Sequence, residues 1–255
     1  LGDVYKRQEY GTKALEMCDG MFAFIIYDRE NHKLILARDR VGKKPIYYGW
    51  KGEQLIFASE VRALMASGFL SNKISHTAID AFLMFGSMPS TSTMIQGIQA
   101  LDAGHYMVVK NGTSTLHRYW NLPFQNTPYP DHGDLLKEFQ QLLEDSISLR
   151  LVSDVSLGVF LSGGIDSSAI VALMSKVSEK RIKTFSLSFK ESKYDEGNLA
   201  KLVASRFQTQ HHDFKVSPIE VLKELPRFFD SMDQPTIDGL NTYLISQVTR
   251  DAGTI

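Results

Sequence analysis

The sequence is poor in cysteine, in long apolar runs and in excess charge of either sign. Cys18 is the one cysteine among 255 residues, which excludes an intrachain disulfide and a CxxC metal or redox site and indicates a reducing, cytoplasmic setting. No apolar run is long enough to span a bilayer, and no apolar signal-peptide core stands at the N-terminus. The formal net charge of −1 provides no basic field that would recruit nucleic acid or an anionic membrane.

The first half of the chain has the short apolar runs that are typical of strands. We predict strands at 21–27, 33–37, 45–49, 54–58, 104–110 and 113–119. Residues 50–53 form the predicted turn between the third and fourth, and Asn111-Gly112 predicts a hairpin with a type I′ turn. Ile79, Phe82 and Leu83 indicate one short helix. An α+β domain of layered antiparallel sheets is therefore expected over 9–122, with residues 1–8 as a non-native scar.

A polar, proline-bearing linker is predicted at 123–133, and the apolar period changes after it. Strands are predicted at 155–161, 184–189 and 212–216, and helices at 135–147, 170–177, 199–207 and 240–248. Ser217 and Glu220 form a capping box that starts one more helix, and Gly253 follows the last one. Strands that alternate with helices indicate a parallel, doubly wound α/β sheet over 134–255.

The residues that indicate a chemical function come immediately after the predicted strand 155–161, at the start of the next predicted helix. They read Ser162-Gly163-Gly164-Ile165-Asp166-Ser167-Ser168. Two glycines let backbone N–H groups approach an anion, and the helix N-terminus adds unpaired donors. An acid among phosphate donors implies Mg²⁺, which carboxylate and phosphate oxygens bind. The lysine of a Walker loop is missing, so a kinase or GTPase is not indicated. A Ser/Gly turn that only caps a helix is the competing interpretation.

This loop resembles the SGGxDS loop of the N-type ATP pyrophosphatases, which cleave ATP between its α and β phosphates and leave an adenylated substrate. Tyr194-Asp195-Glu196 and the run from Asp233 to Tyr243 resemble asparagine synthetases of the glutamine-hydrolysing type. The stretch from Gly20 to Glu60, with Ala37-Arg38-Asp39-Arg40 inside it, is similar to the later part of a class II (Ntn-type) glutamine amidotransferase domain. The resemblance covers nearly all of the chain after Glu9, in the order of the family.

The resemblance implies a role for each residue of the loop. The residues that would hold the ATP pyrophosphate are Ser162, Gly163, Gly164, Ser167 and Ser168. Asp166 would bind Mg²⁺, and Leu161 and Leu187 would contact the adenine nucleotide. Asp195 either faces the nucleotide or is an acid favoured by a helix dipole.

Two further groups of residues keep two interpretations each. His211-His212 is either a catalytic pair or the solvent-facing start of a strand. Arg38-Asp39-Arg40 either lies near an interdomain contact or forms a solvated, charged turn.

Parts of the family pattern do not occur in this sequence. The N-terminal glutaminase cysteine, the segments that precede residue 9 in relatives and the second ATP motif, SGxGxDE, are missing, so we expect the chain as given to have no glutaminase activity and weak ATP binding at most. Cys18 lacks a free α-amino group to act as base and is interpreted as a small apolar filler. Members specific for aspartate carry arginine where this chain has Asp238.

The function expected from the resemblance is a glutamine-dependent asparagine synthetase, a carbon–nitrogen ligase with ATP and Mg²⁺ as cofactors. Its substrates would be ATP, aspartate and glutamine, in the cytoplasm, without nucleic acid or membrane and with a homodimer left open. The alternatives are amidation of another carboxylate, for example in an envelope pathway, and a non-catalytic fragment. A tRNA-thiolating pyrophosphatase is disfavoured because that chemistry needs catalytic cysteines and a basic RNA-binding face.

Overall fold

The computed structural model describes residues 9–89, 91–124, 132–189 and 197–254. It divides into two compact units, the first made of Leu1–Gln125 and Met232–Ile237 and the second of Asn126–Ser231 and Asp238–Ile255. The predicted scar at 1–8, most of the predicted linker and Tyr194-Asp195-Glu196 lie outside the described residues. Within the described ranges, no helix has the length and apolar character needed to cross a membrane.

Seven strands of the first unit form two antiparallel sheets. The strands are β1 (Ala23–Asp28), β2 (Lys33–Arg38), β3 (Tyr47–Lys51), β4 (Gln54–Ala58), β5 (Ile98–Ala100), β6 (His105–Lys110) and β7 (Thr113–Arg118). One sheet has the order β1-β2-β6-β7 and the other the order β4-β3-β5. A 3₁₀ helix (Gly11–Met17) and the helices α1 (Val61–Ala66) and α2 (His76–Phe85) accompany them. The antiparallel character predicted for this half is therefore present.

The two hairpin turns of this unit show what local sequence can determine. Asn111 and Gly112 both have positive φ, of 52° and 73°, which is the type I′ geometry predicted from these two residues. The turn predicted at 50–53 is shorter than expected. Trp50 pairs with Leu55 and Lys51 with Gln54, so only Gly52 and Glu53 remain outside the ladder.

Asp39 holds together the loop that follows β2. It is 1% exposed, and its carboxylate accepts the backbone N–H groups of Phe22, Val41, Lys43 and Lys44 at 2.9–3.3 Å. Burial raises the pKa of Asp39, but these four donors together bring it below its ordinary value. The interpretation of this charged run as a solvated turn is wrong for Asp39, because its carboxylate is a buried acceptor for backbone amides. Its place near an interdomain contact stays a prediction.

The segment Met232–Ile237 belongs to the first unit although its sequence lies between two helices of the second. Asp233 accepts hydrogen bonds from Val61 N and Arg62 N at 2.9 Å each. These are the orphan donors at the start of α1, and the side chain of the preceding Glu60 makes no capping bond. Gln234 accepts a hydrogen bond from Met94 N at 3.0 Å. A residue 172 positions away in sequence thus caps this helix.

The described part of the second unit combines a three-stranded parallel sheet with five helices. Its elements are α3 (His132–Arg150), β8 (Gly158–Phe160), α4 (Ile165–Val177), β9 (Lys183–Phe189), α5 (Gly197–Arg206), β10 (Gln210–Val216), α6 (Pro218–Ser231) and α7 (Gly239–Asp251). The strand order is β10-β9-β8, and both pairings are parallel. The mixed α/β architecture predicted for this half is confirmed, although β8 is three residues long where a run of seven was expected.

The helix ends of this unit follow local rules. Ser217 N and Ser217 Oγ donate to Glu220 Oε2 at 2.7 and 2.6 Å, and Glu220 N donates back to Ser217 Oγ at 3.4 Å. This is the predicted capping box. Gly253 has φ +73° two residues after α7 ends, which is the left-handed conformation expected of a helix terminator.

Candidate functional site

The loop after β8 is fixed to the sheet at its first residue and turns directly into α4. Leu161 is 1% exposed, and its N–H donates to Phe185 O at 2.7 Å. Ser162 Oγ then accepts from Gly164 N at 3.2 Å and lies 3.0 Å from Ser167 Oγ, which donates to Gly164 O. Ser168 N donates to Gly164 O at 3.0 Å. The serines therefore shape the loop in the absence of any ligand, an arrangement that a sequence motif by itself does not reveal.

Gly163 is required by packing as well as by backbone conformation. Its φ is +84°, and a Cβ at this position would lie 2.6 Å from Leu199 Cβ and 2.7 Å from Ala200 N. These atoms belong to the first turn of α5, so the loop rests on a second helix. Sequence reasoning assigned this glycine to the approach of a ligand. The geometry adds that a side chain here would collide with the protein itself.

Gly164 and Asp166 differ from the half-buried Gly163 in being exposed. Gly164 has φ −68°, which any residue adopts, and a Cβ there would meet only Ser162 Oγ at 3.3 Å. Asp166 lies exposed in the first turn of α4. The backbone at Gly164 could carry a side chain but has none, and the exposed carboxylate of Asp166 lies two residues away. The loop therefore has room for a ligand.

A cleft of about 410 Å³ lies at the carboxyl ends of β8 and β9. It is lined by Phe160, Leu161, Ser162, Ser186, Leu187, Gly197, Asp238, Asn241, Thr242 and Ile245. Ligands of open parallel sheets bind at this end of the strands. Of the predicted site residues, Leu161, Ser162 and Leu187 line the cleft. Gly163, Gly164, Asp166, Ser167 and Ser168 belong to the loop but are not among the lining residues.

Most of the other lining residues were not identified from the sequence. Asp238, Asn241, Thr242 and Ile245 have the spacing i, i+3, i+4, i+7, so they share one face of the start of α7. The same spacing occurs in any amphipathic helix. It would have identified these residues as cleft residues only if the position of the helix relative to the sheet had been known. Asp238, the position where the sequence departs from the aspartate-specific pattern, thus lies in the cleft wall.

His211 and His212 do not form a pair. They are successive residues of β10, so their side chains lie on opposite faces of the sheet. His211 Nδ1 lies 3.0 Å from Thr184 Oγ1 and its Nε2 lies 3.3 Å from Ser186 Oγ. His212 stacks on Phe185 at 5.1 Å between ring centroids. Both rings are partly buried, so the solvent-facing interpretation was wrong as well.

No group of three or more His, Cys, Asp or Glu residues within the described ranges is arranged to hold a metal ion. Asp166 contributes one exposed carboxylate at the loop. One such ligand fits Mg²⁺, which is commonly held by one or two carboxylates together with phosphate oxygens and water.

Two family models match the chain. Residues 4–120 match the glutamine amidotransferase domain and residues 138–254 match asparagine synthase. A Methanocaldococcus jannaschii protein, provisionally named asparagine synthetase [glutamine-hydrolyzing] 2, is 32% identical over 252 residues, which cover 96% of this chain and 48% of that protein. Asparagine synthetase [glutamine-hydrolyzing] 1 of Bacillus subtilis is 32% identical over 232 residues, which cover 91% of this chain and 36% of that protein.

The two matches define a chain with an amidotransferase part followed by an asparagine synthase part. The chain belongs to the family of glutamine-hydrolysing asparagine synthetases. It spans about half the length, or less, of the curated relatives it matches. Among solved structures, the glutamine-dependent NAD⁺ synthetase of Acinetobacter baumannii with ADP aligns with 99% of this chain and 62% of that chain, at 11% identity. Its TM-score is 0.35, which supports no inference about this chain.

Proposed function

We propose that the protein containing this chain is an asparagine synthetase that binds Mg·ATP at the loop after β8 and amidates a carboxylate. In the first step a carboxylate oxygen of the acceptor attacks the α-phosphorus of ATP and releases pyrophosphate, which gives an acyl-adenylate. In the second step ammonia attacks the acyl carbon, AMP leaves, and one proton is released with the amide. The second unit would then have the N-type ATP pyrophosphatase fold and the first unit an Ntn-type amidotransferase fold.

The observation that carries this proposal is the pair of glycines in the loop. Gly163 is pressed against α5, whereas Gly164 is exposed, has ordinary backbone angles and is the N-cap of α4. Glycine is acceptable at an N-cap, so a helix cap accounts for Gly164, but it does not account for the cleft beside Ser162. Close approach of a ligand to the backbone accounts for both the glycines and the cleft, because a missing side chain lets N–H groups contact an anion.

The residues of the loop would divide the binding of ATP among them. The backbone N–H of Gly163 and the hydroxyls of Ser162, Ser167 and Ser168 would donate to the pyrophosphate. Gly164, whose own N–H donates to Ser162 Oγ, would let the ligand approach the backbone. Leu161 and Leu187 would form the apolar wall for the adenine. Asp166 would hold Mg²⁺, whose chemistry here is to neutralise phosphate charge. Hydrogen bonds to a charged group contribute roughly 1.5–3 kcal/mol each, so a few of them suffice for retention.

Aspartate is the leading acceptor, with glutamine as the source of ammonia, because the relatives are named for these substrates. A second candidate is amidation of a different carboxylic acid by the same chemistry. Asp238 favours it, since an aspartate in the cleft wall cannot pair with the second carboxylate of aspartate as an arginine could. Location in the cytoplasm belongs to this proposal, and the homodimer is left open.

Pyrophosphate release tests the proposal. The protein expressed from its full reading frame is given Mg·ATP, ammonia or glutamine, and either aspartate or one of a panel of other carboxylic acids. We expect acceptor-dependent pyrophosphate and AMP in equal amounts, and a reduction of at least tenfold in Asp166→Asn. Asp134→Asn is the matched control, because Asp134 is an exposed aspartate in the first turn of α3. Equal activity of the two variants would leave the loop as a helix cap.

A further inference from the structure

One face of the β9–β10 pair is an unusual buried ladder of polar side chains. Its hydroxyl members are 0–6% exposed and are Thr184, Ser186, Ser188 and Thr209. The first three alternate with Phe185 and Leu187 along β9, so they all project from the same face of the sheet. His211 and Asp213 project beside them from β10, paired in register with Thr184 and Ser186. Buried polar groups at this density must satisfy one another.

The proton positions in this ladder follow from its one carboxylate. Asp213 Oδ1 is 2.7 Å from Ser188 Oγ and 3.3 Å from Ser186 Oγ, and a carboxylate only accepts, so both serines donate to it. Ser186 has then used its one proton, and its oxygen must accept from His211 Nε2 at 3.3 Å. A neutral imidazole has a single N–H, so His211 Nδ1 accepts from Thr184 Oγ1 at 3.0 Å. Thr184 in turn accepts from Thr209 at 2.8 Å.

The charges around His211 agree with a neutral ring. Burial lowers the pKa of His211, Asp213 opposes that shift, and Lys201 and His212 add to it. Lys201 Nζ of α5 forms an ion pair with Asp213 Oδ2 at 2.7 Å, so the negative charge nearest to the ring is already balanced.

This ladder reaches the candidate site at two points. Ser186 is one of the residues that line the cleft. Lys201 follows directly after Leu199 and Ala200, the residues of α5 against which Gly163 is packed. The hydrogen bonds of His211 therefore end at the cleft wall on one side, and the ion pair of Asp213 holds the helix under the loop on the other.

We propose that His211 is a positioning residue for the nucleotide cleft, which as the neutral Nε2–H tautomer fixes the hydroxyl of Ser186 at the cleft wall. The inference rests on the proposed nucleotide-binding function and adds a residue to it. His211 itself does not touch the nucleotide or the reacting atoms. Its effect on ATP is transmitted by Ser186 and by the Asp213–Lys201 pair.

Two measurements on the protein from its full reading frame test this role. The first is the ring ¹⁵N spectrum of the histidines at neutral pH, with the signals of His211 assigned by their loss in His211→Gln. The second is the KM for ATP in wild type, His211→Ala, His211→Gln and the matched control His212→Gln. The control makes the same change on the next residue of the strand, whose side chain lies on the opposite face.

We expect the Nε2–H tautomer in the spectrum. We also expect KM for ATP to rise about threefold to tenfold in His211→Ala, which corresponds to the loss of about one buried hydrogen bond. His211→Gln should show a smaller rise, because its amide retains a donor, and His212→Gln should leave KM unchanged. An Nδ1–H ring, an unchanged KM in His211→Ala, or an equal rise in His212→Gln would overturn the proposal. Absence of ATP turnover in the wild type would overturn the proposed function, and with it the role in the cleft, while the spectrum would still decide the tautomer.

Discussion

Alanine substitution of the two adjacent glycines in the loop should separate stability from binding. At Gly163 the new Cβ would lie 2.6–2.8 Å from Leu199 Cβ, Leu199 C and Ala200 N, of which two are backbone atoms that cannot rotate away. The φ of +84° adds a conformational penalty. Overpacking costs about 1–3 kcal/mol and a left-handed conformation about 1–2 kcal/mol. Gly163→Ala should therefore destabilise the second unit by about 2–5 kcal/mol.

Gly164→Ala should behave in the opposite way. The φ of −68° suits any residue, and the one close atom is Ser162 Oγ at 3.3 Å, a side-chain oxygen that has to shift by a few tenths of an ångström. When it does so, the loss of glycine freedom in the unfolded chain stabilises by about 0.4–1 kcal/mol. The same methyl would stand where an anion must approach the backbone. We therefore expect Gly164→Ala to weaken Mg·ATP binding at least tenfold while the protein stays fully folded.

Urea unfolding followed by circular dichroism measures the first effect, and calorimetric titration with Mg·ATP measures the second. The two variants are each other's control, since they make the same change at neighbouring positions. If Gly163→Ala and Gly164→Ala had equal stabilities, the packing of the loop on α5 would be wrong. If Gly164→Ala bound ATP like the wild type, the ligand would not contact the backbone at Gly164.

Three further predictions concern single side chains, and a fourth concerns the division of the chain. Asp233→Ala removes the acceptor of two helix N–H groups and should destabilise the first unit by about 1–2 kcal/mol in urea unfolding, whereas Asp233→Asn should retain part of that stability. The pKa of Asp39 is lowered in the folded protein, so its carboxylate stabilises the fold fully at a pH above the pKa of an ordinary aspartate, and this stabilisation is lost as the pH falls through the folded-state pKa. The free energy of unfolding of the wild type should therefore decrease over that acidic range, and that of Asp39→Asn should not. The pKa of His211 is lowered from 6.5 in the folded protein, where Asp213, Lys201 and His212 face the ring. The unfolded chain therefore binds a proton more readily, and the free energy of unfolding should decrease as the pH falls below 6.5. This dependence on pH should disappear in His211→Gln. Limited proteolysis should cut first within 121–134, and a first cut elsewhere would contradict the predicted boundary.

Local sequence was sufficient where a few neighbouring residues decide the backbone. Asn111 and Gly112 set the type I′ turn because both tolerate positive φ. Ser217 and Glu220 determine where α6 begins, because the side chain of each accepts a hydrogen bond from the backbone N–H of the other. The alternation of strands and helices after residue 134 likewise predicted the parallel sheet, and the glycine-rich motif predicted where its loop would lie.

Contacts between distant residues decided the rest. No local pattern tells that Asp39 is buried under four backbone amides, or that Asp233 caps a helix that begins at Val61. Charged residues read from sequence are placed at the surface by default, since only the surrounding fold can supply the donors that make burial of a carboxylate favourable.

The sequence by itself restricted the class of chemistry that we propose, because two glycines, three serines and one acid after a strand limit what a loop can bind. The tertiary structure decided how that loop is held and what surrounds it. It separated Gly163, which packs on α5, from Gly164, which is exposed. It also separated His211 from His212, since a strand places successive side chains on opposite faces. Whether two residues lie on the same face of a sheet or in the same cleft depends on three-dimensional packing and cannot be inferred from their being neighbours in sequence.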